Sequence, residues 1–148
     1  MLDVPCTLDE LFLQTLAAAD QVVFVAEPNP ASLRSLHLVL EMLNQAGEGR
    51  GDYPVYVVLN RYDSRNSDVE PRRIQELLRV RRLYTVGNDY TAIRAALNGG
   101  QTLRAQAPRS KALADIDRLA RILYGGDEID GGGWKLFNPL ARMFGMGS

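Results

Sequence analysis

With 148 residues, 46% of them hydrophobic and 24% charged, the chain holds enough material for one domain, or one large piece of a domain, with a real core. A formal net charge of −1 excludes a global attraction to nucleic acid or anionic lipid. The single cysteine, Cys6, excludes an internal disulfide and fits a reducing compartment, and no apolar run approaches the roughly 20 residues of a membrane-spanning helix.

In chain order, residues 1–5 (Met-Leu-Asp-Val-Pro) read like the end of a buried strand whose earlier residues are absent, as if the chain began inside a larger fold. Thr7 is the expected cap of a first helix, with Glu10 three residues later as in a capping box. Leu8, Leu11, Phe12, Leu16 and Ala19 then share one helical face. A fully apolar strand follows at 22–26. Asn29 caps a second helix and Pro30 takes its first position, where a missing N–H costs nothing. Leu33, Leu36, Leu40 and Leu43 form the stripe this helix buries. A glycine-rich turn over 47–52 leads to a second apolar strand at 55–59.

Beyond a polar loop at 62–68, a helix around 71–80 turns Ile74, Leu77 and Leu78 inward. A short strand over 83–86 ends at Gly87-Asn88-Asp89. The next helix turns Ile93, Ala96 and Leu97 inward and stops at Asn98-Gly99-Gly100. Residues 101–109 read as irregular. Ser110 caps a final helix through Leu123, with Leu113, Ile116, Leu119, Ala120 and Leu123 on one side. Two β-branched runs separated by an amphipathic helix read as a βαβ unit of a parallel sheet buried on both faces, within an α/β layer architecture.

Ligands of such sheets collect at the carboxyl ends of the strands. Asn60-Arg61-Tyr62-Asp63 sits there, and it has the N-[KR]-x-D spacing of guanine-reading loops; a carboxamide can equally pair with adenine. Its other reading is a plain strand-ending turn. Asp89 opens a helix on the same edge, as a helix cap or as a ligand contact. Asp3 is a third acid there, able to hold a Mg²⁺-bound water or to cap the helix that follows. His37 stands without a second ligand for a metal. Arg72, Arg73, Arg79, Arg81 and Arg82, interleaved with Glu70 and Glu76, read as a solvated face, so nucleic acid is not an expected partner.

Asp3-Val4-Pro5, the run from Thr15 to Pro28, Ser32-Leu33-Arg34, Val58-Leu59-Asn60-Arg61 and Asn88-Asp89 together resemble the C-terminal half of a ParA/MinD-type P-loop ATPase. The nearest flavour is the CpaE/TadZ group of pilus-assembly proteins. The likeness covers roughly residues 2–123. It implies a three-layer, P-loop NTPase-like parallel sheet lacking the P-loop strand. It assigns Asp3 to the end of the Walker-B-type strand, near Mg²⁺ and the attacking water. Asn60 and Arg61 would face the adenine, with Asp89 on the base side as well. The family has a proline before that last acid, where this chain has Gly87.

No glycine-rich phosphate loop of the G-x-x-x-x-G-K-[ST] kind occurs in the sequence. The backbone cradle, lysine and hydroxyl that clamp phosphates in such enzymes are therefore missing. ATP and Mg²⁺ are accordingly expected in a full-length parent, and the chain alone is expected to hydrolyse nothing. The expected function is pilus or secretion-system placement by self-association and docking to machinery proteins, in the cytoplasm or at the inner face of the inner membrane. The alternatives are a nucleotide-free interaction module and a MinD-like ATPase of another positioning system.

Three segments are expected: an α/β domain at 1–124, a glycine-rich linker at 125–133 and an amphipathic tail at 134–148. In the tail Leu136, Phe137, Leu140, Met143 and Phe144 cluster opposite Lys135, Asn138 and Arg142. Pro139 limits any helix there to one that restarts after Asn138. Residues 134–144 read either as a membrane-surface anchor, which the resemblance to MinD also implies, or as a tail folded onto the core or a second subunit.

Overall fold

The computed structural model describes residues 1–4, 9–45, 54–65 and 70–125. Its element order is α1 (Glu10–Ala18), β1 (Val22–Ala26), α2 (Pro30–Gln45), β2 (Val55–Tyr62), α3 (Pro71–Leu78), β3 (Leu83–Gly87), α4 (Tyr90–Asn98), α5 (Leu103–Gln106) and α6 (Lys111–Leu123). The strands form one parallel sheet in the order β1-β2-β3. The turn at 47–52, the linker after Gly125 and the tail lie outside the described residues, in whole or in large part.

Three layers result. On one face Phe12 and Leu16 of α1, Leu36, Val39 and Leu40 of α2, and Ile74 and Leu78 of α3 pack against Val22, Phe24, Ala26, Val57 and Leu59. On the other, Ala112 and Leu119 of α6 meet Val58 and Val86, with Ile93 and Leu103 alongside. β2 is buried on both faces, as its unbroken apolar run requires. β1 is not: its burial alternates, because α6 crosses only the other two strands on its side.

Local signals place most boundaries. Asn29 Oδ1 accepts the N–H of Ser32 at 2.9 Å and α2 begins on Pro30. Arg79 ends α3 in the left-handed region at φ 53°. The first helix corrects its expectation, since its cap is Asp9, whose carboxylate accepts from Phe12 N at 2.8 Å. A carboxylate one residue before the helix reaches that donor directly, and Thr7 lies outside the described residues.

Other corrections concern which face is buried. Leu11, Leu77, Leu97 and Ile116 are all exposed, while Leu13, Val39 and Ala112 pack inward. A short helix against a sheet buries a narrow stripe, and leucines at its margin stay in water. Residues 101–109 contain a single helical turn, α5, capped by Thr102, whose hydroxyl accepts from Ala105 N at 3.2 Å. Residues 1–4 are not a strand: Met1 and Leu2 are exposed, and only Val4 touches the core. Among the described residues, no helix is long and apolar enough to cross a membrane.

Candidate functional site

The second strand does not stop at Leu59. Leu59 pairs with Thr85 and Tyr62 with Gly87, so Asn60 and Arg61 together stand opposite Val86 alone. That extra residue is a bulge, which re-aims side chains at the end of a strand. Its geometry is unusual for a parallel pair. Arg61 adopts φ 56°, left-handed backbone that a non-glycine residue rarely takes. Asn60 supports it by accepting the Arg61 N–H on its side-chain oxygen at 2.9 Å.

The bulge throws Arg61 toward the end of β1. Its Nη1 donates to Glu27 Oε1 at 3.0 Å, while Glu27 Oε2 accepts from Asn29 Nδ2 at 3.3 Å. Glu27 and Ser32 are also joined, main chain to hydroxyl, at 3.0 Å. Arg61 and Glu27 are both well exposed, so their pairing contributes at most about 1 kcal/mol. Its effect is to aim the guanidinium.

The third strand end meets the same rim. The Asn88 N–H donates to Tyr62 O at 2.9 Å, and the Gly87 N–H donates to Asp115 Oδ2 at 3.0 Å. Asp89 is the cap of α4, with Oδ1 accepting from Ala92 N at 3.3 Å and Oδ2 from the Ser110 hydroxyl at 2.7 Å. The Ser110 hydrogen bond is the main reason its carboxyl lies below the usual value. Burial opposes that shift; the Ala92 and Lys111 backbone N–H groups and the Lys111 charge reinforce it. Ser110 stands at the N-cap position of α6 but its side chain makes no capping hydrogen bond; its hydroxyl donates to Asp89.

Asn60, Arg61 and Asp89 therefore lie on adjacent strand ends along one rim. Asp3 does not join them by any contact: it is exposed and makes no hydrogen bond or ion pair among the described residues. Glu27, Ser110 and Asp115 belong to the rim and were not singled out from sequence. Glu27 could have been, since it closes β1 as Asn60 closes the regular part of β2. Ser110 and Asp115 reach the rim from 21 and 28 residues away, and no local pattern signals that.

The rim presents amide donors and a planar cation, groups able to meet either a base edge or a phosphate. With its oxygen turned onto Arg61, the Asn60 carboxamide keeps two N–H protons for acceptors on a base edge. The Arg61 guanidinium is a flat cation able to stack on a ring. Both oxygens of Asp89 already accept, so it braces more readily than it reads. Among the described residues no three His, Cys, Asp or Glu side chains gather into a cluster. A cavity of about 240 Å³ shares Asp115 with the rim and extends along β3 between Pro71, Tyr84, Arg118 and Ile122.

No protein-family model matches the chain. A putative septum site-determining protein MinD of Mesostigma viride is 27% identical over 132 residues, which cover 86% of this chain and 44% of that relative. Among solved structures, a ParA family ATPase of Chlorobium tepidum superposes with a TM-score of 0.64 at 23% identity, over 76% of this chain and 45% of the other. The chain has the ParA/MinD-type fold. The septum site-determining protein MinD of Pyrococcus horikoshii, solved with Mg-ADP, matches with TM-score 0.64 and 23% identity over 82% of this chain and 48% of its own. The MinC:MinD cell division complex of Aquifex aeolicus matches at 0.61 and 17%, over 86% and 52%. This chain thus spans about half the length of the ParA/MinD-type proteins it resembles.

Proposed function

We propose that this chain is the base-side half of a ParA/MinD-like nucleotide switch. Asn60 and Arg61 face the purine, and Asp89 braces the rim beside them. The bulge after Leu59 carries this reading: a left-handed arginine, supported by Asn60 and aimed by Glu27, is a strained arrangement at the place where such sheets bind ligands. Similarity to a MinD solved with Mg-ADP supports a nucleotide as the ligand of the parent fold. Asp3 belongs to the phosphate and Mg²⁺ side in this reading and acts only in a full-length parent.

The chain by itself binds nucleotide weakly and does not hydrolyse it, since electrostatic clamping of phosphates supplies most of the affinity and rate in phosphoryl transfer. The parent works by self-association and partner docking, in the CpaE/TadZ manner, to place a pilus or secretion machine. A second reading, a MinD-like system placing something other than a pilus, is favoured by the MinD relative.

Calorimetry with ATP and GTP tests the site, on this chain and on a form extended upstream by a phosphate-binding loop. Asn60→Ala and Arg61→Ala weaken nucleotide binding in the extended form by about tenfold each, the size of one lost hydrogen bond to a charged or base-reading group. Unchanged affinity in both variants removes the base-side assignment.

A further inference from the structure

The charges of the described rim come in opposite pairs. Glu27 meets Arg61 at 3.0 Å. Asp63 lies 3.8 Å from Arg65, and Asp115 lies 3.8 Å from Arg118. Lys111 sets its charge beside Asp89. A rim balanced in this way has little net field with which to draw in a polyanion.

Arg61 is the cation whose surroundings matter most. It stands on the bulge in β2, near the start of α2, and the N-terminus of a 16-residue helix favours an anion. A guanidinium beside such a terminus would capture phosphate through its fork of N–H groups. Glu27 takes that place. One of its carboxylate oxygens accepts from Arg61 Nη1 and the other from Asn29 Nδ2, on the residue that caps α2. The Glu27 N–H donates to the Ser32 hydroxyl at 3.0 Å, which fixes the backbone that carries the carboxylate. An anion of this chain thus lies between two donors that would otherwise be open to one from outside. Exposure makes the pair a weak source of stability, but cancelling a charge needs only proximity.

We infer that Glu27 is the specificity-determining residue of the rim: it neutralises Arg61, so that the site accepts an uncharged base and turns phosphate away. The hydrogen bond to Glu27 occupies the edge of the guanidinium, where a phosphate would be clamped, and leaves the flat face for a ring. This rests on the base-side reading of Asn60 and Arg61 and assigns to Glu27 the choice between the two chemistries.

Titration of the chain with adenosine and, separately, with inorganic triphosphate tests it, followed by NMR at the main-chain N–H groups of Asn60 and Arg61 in about 20 mM salt. In the parent chain adenosine should be the tighter ligand. Glu27→Gln keeps the shape of the side chain and removes its charge. It should raise the affinity for triphosphate relative to adenosine about tenfold, and about 0.5 M salt should abolish the rise. Adding Arg61→Ala to Glu27→Gln should abolish it as well. Glu41→Gln, roughly 16 Å along α2 from Pro30, controls for net charge and should leave the ratio at the parent value.

A ratio unmoved by Glu27→Gln, raised equally by Glu41→Gln, or still raised after Arg61→Ala overturns the role of Glu27 and leaves the base-side reading standing. Adenosine that shifts neither Asn60 nor Arg61 in any of these proteins removes the base-side reading, and this inference with it.

Discussion

Asp115, within α6, accepts the main-chain N–H of Gly87 at 3.0 Å, so a helix 28 residues further on holds the end of β3. The same carboxylate lies 3.8 Å from the Arg118 guanidinium. A proline at position 87, as the resembled family has before its acid, would remove the donor. Gly87→Pro is expected to cost about 2–3 kcal/mol, because the half-buried Asp115 would lose its hydrogen bond. In Gly87→Ala a Cβ would stand 3.3 Å from Asp115 Oδ2 and 3.7 Å from Lys111 Cβ. The carboxylate can yield by that little, so the change should stay within about 1 kcal/mol. Urea denaturation of the two variants, alone and with Asp115→Ala, checks this: Gly87→Pro and Asp115→Ala should be non-additive.

Asp89 and Ser110 give a pH dependence. The Asp89 carboxyl, hydrogen-bonded first by Ser110, sits below its ordinary value of 3.8 in the folded chain. A depressed acid stabilises the fold above its unfolded value, and that share disappears as pH falls through the lower folded value. Ser110→Ala should bring the Asp89 titration up toward 3.8 and flatten the loss of stability below about pH 4. Carboxyl chemical shifts followed by NMR, with thermal melts at pH 3 and pH 6, would measure both effects. An unmoved Asp89 titration in Ser110→Ala would contradict the assignment.

What was readable in the sequence was local. Val22-Val23-Phe24-Val25-Ala26 announces a strand, and Asn29-Pro30 announces the start of α2, because each signal lies within a few residues of its effect. The rim was half readable. Asn60 was found, but the bulge that re-aims Arg61 depends on how β2 registers with β3, which no run of residues encodes by itself. Asp115 and Ser110 were missed as rim residues for the same reason. Val25 departs from the pattern: a continuous apolar strand signals burial on both faces, and in a chain spanning about half the length of the fold it matches Val25 is exposed.

Asn29 joins two tasks that mutation can separate. Its oxygen caps α2 through Ser32 N, and its amide nitrogen donates to Glu27 at 3.3 Å. Asn29→Ala should cost about 1 kcal/mol, the ordinary worth of a helix cap. Asn29→Asp keeps the cap and replaces an attractive contact with two facing carboxylates. Its cost should therefore vanish in a Glu27→Gln background, and a double-mutant cycle by chemical denaturation reads that coupling.

Arg61 sets stability against binding. At φ 56° an arginine carries backbone strain that glycine does not. Its ion pair with Glu27 is too exposed to repay that strain by itself. Arg61→Gly should therefore stabilise the isolated chain by about 1 kcal/mol, although it deletes a hydrogen-bonded side chain. Arg61→Ala deletes the same side chain and keeps the strain, so it should give no gain. If the strain is retained for a ligand, both variants must lose purine binding in the upstream-extended form, Arg61→Gly despite its higher melting temperature. Parallel thermal melts and calorimetry on the two variants measure the trade directly. A stabilised Arg61→Gly that binds nucleotide as tightly as its parent would leave the left-handed arginine without a binding role.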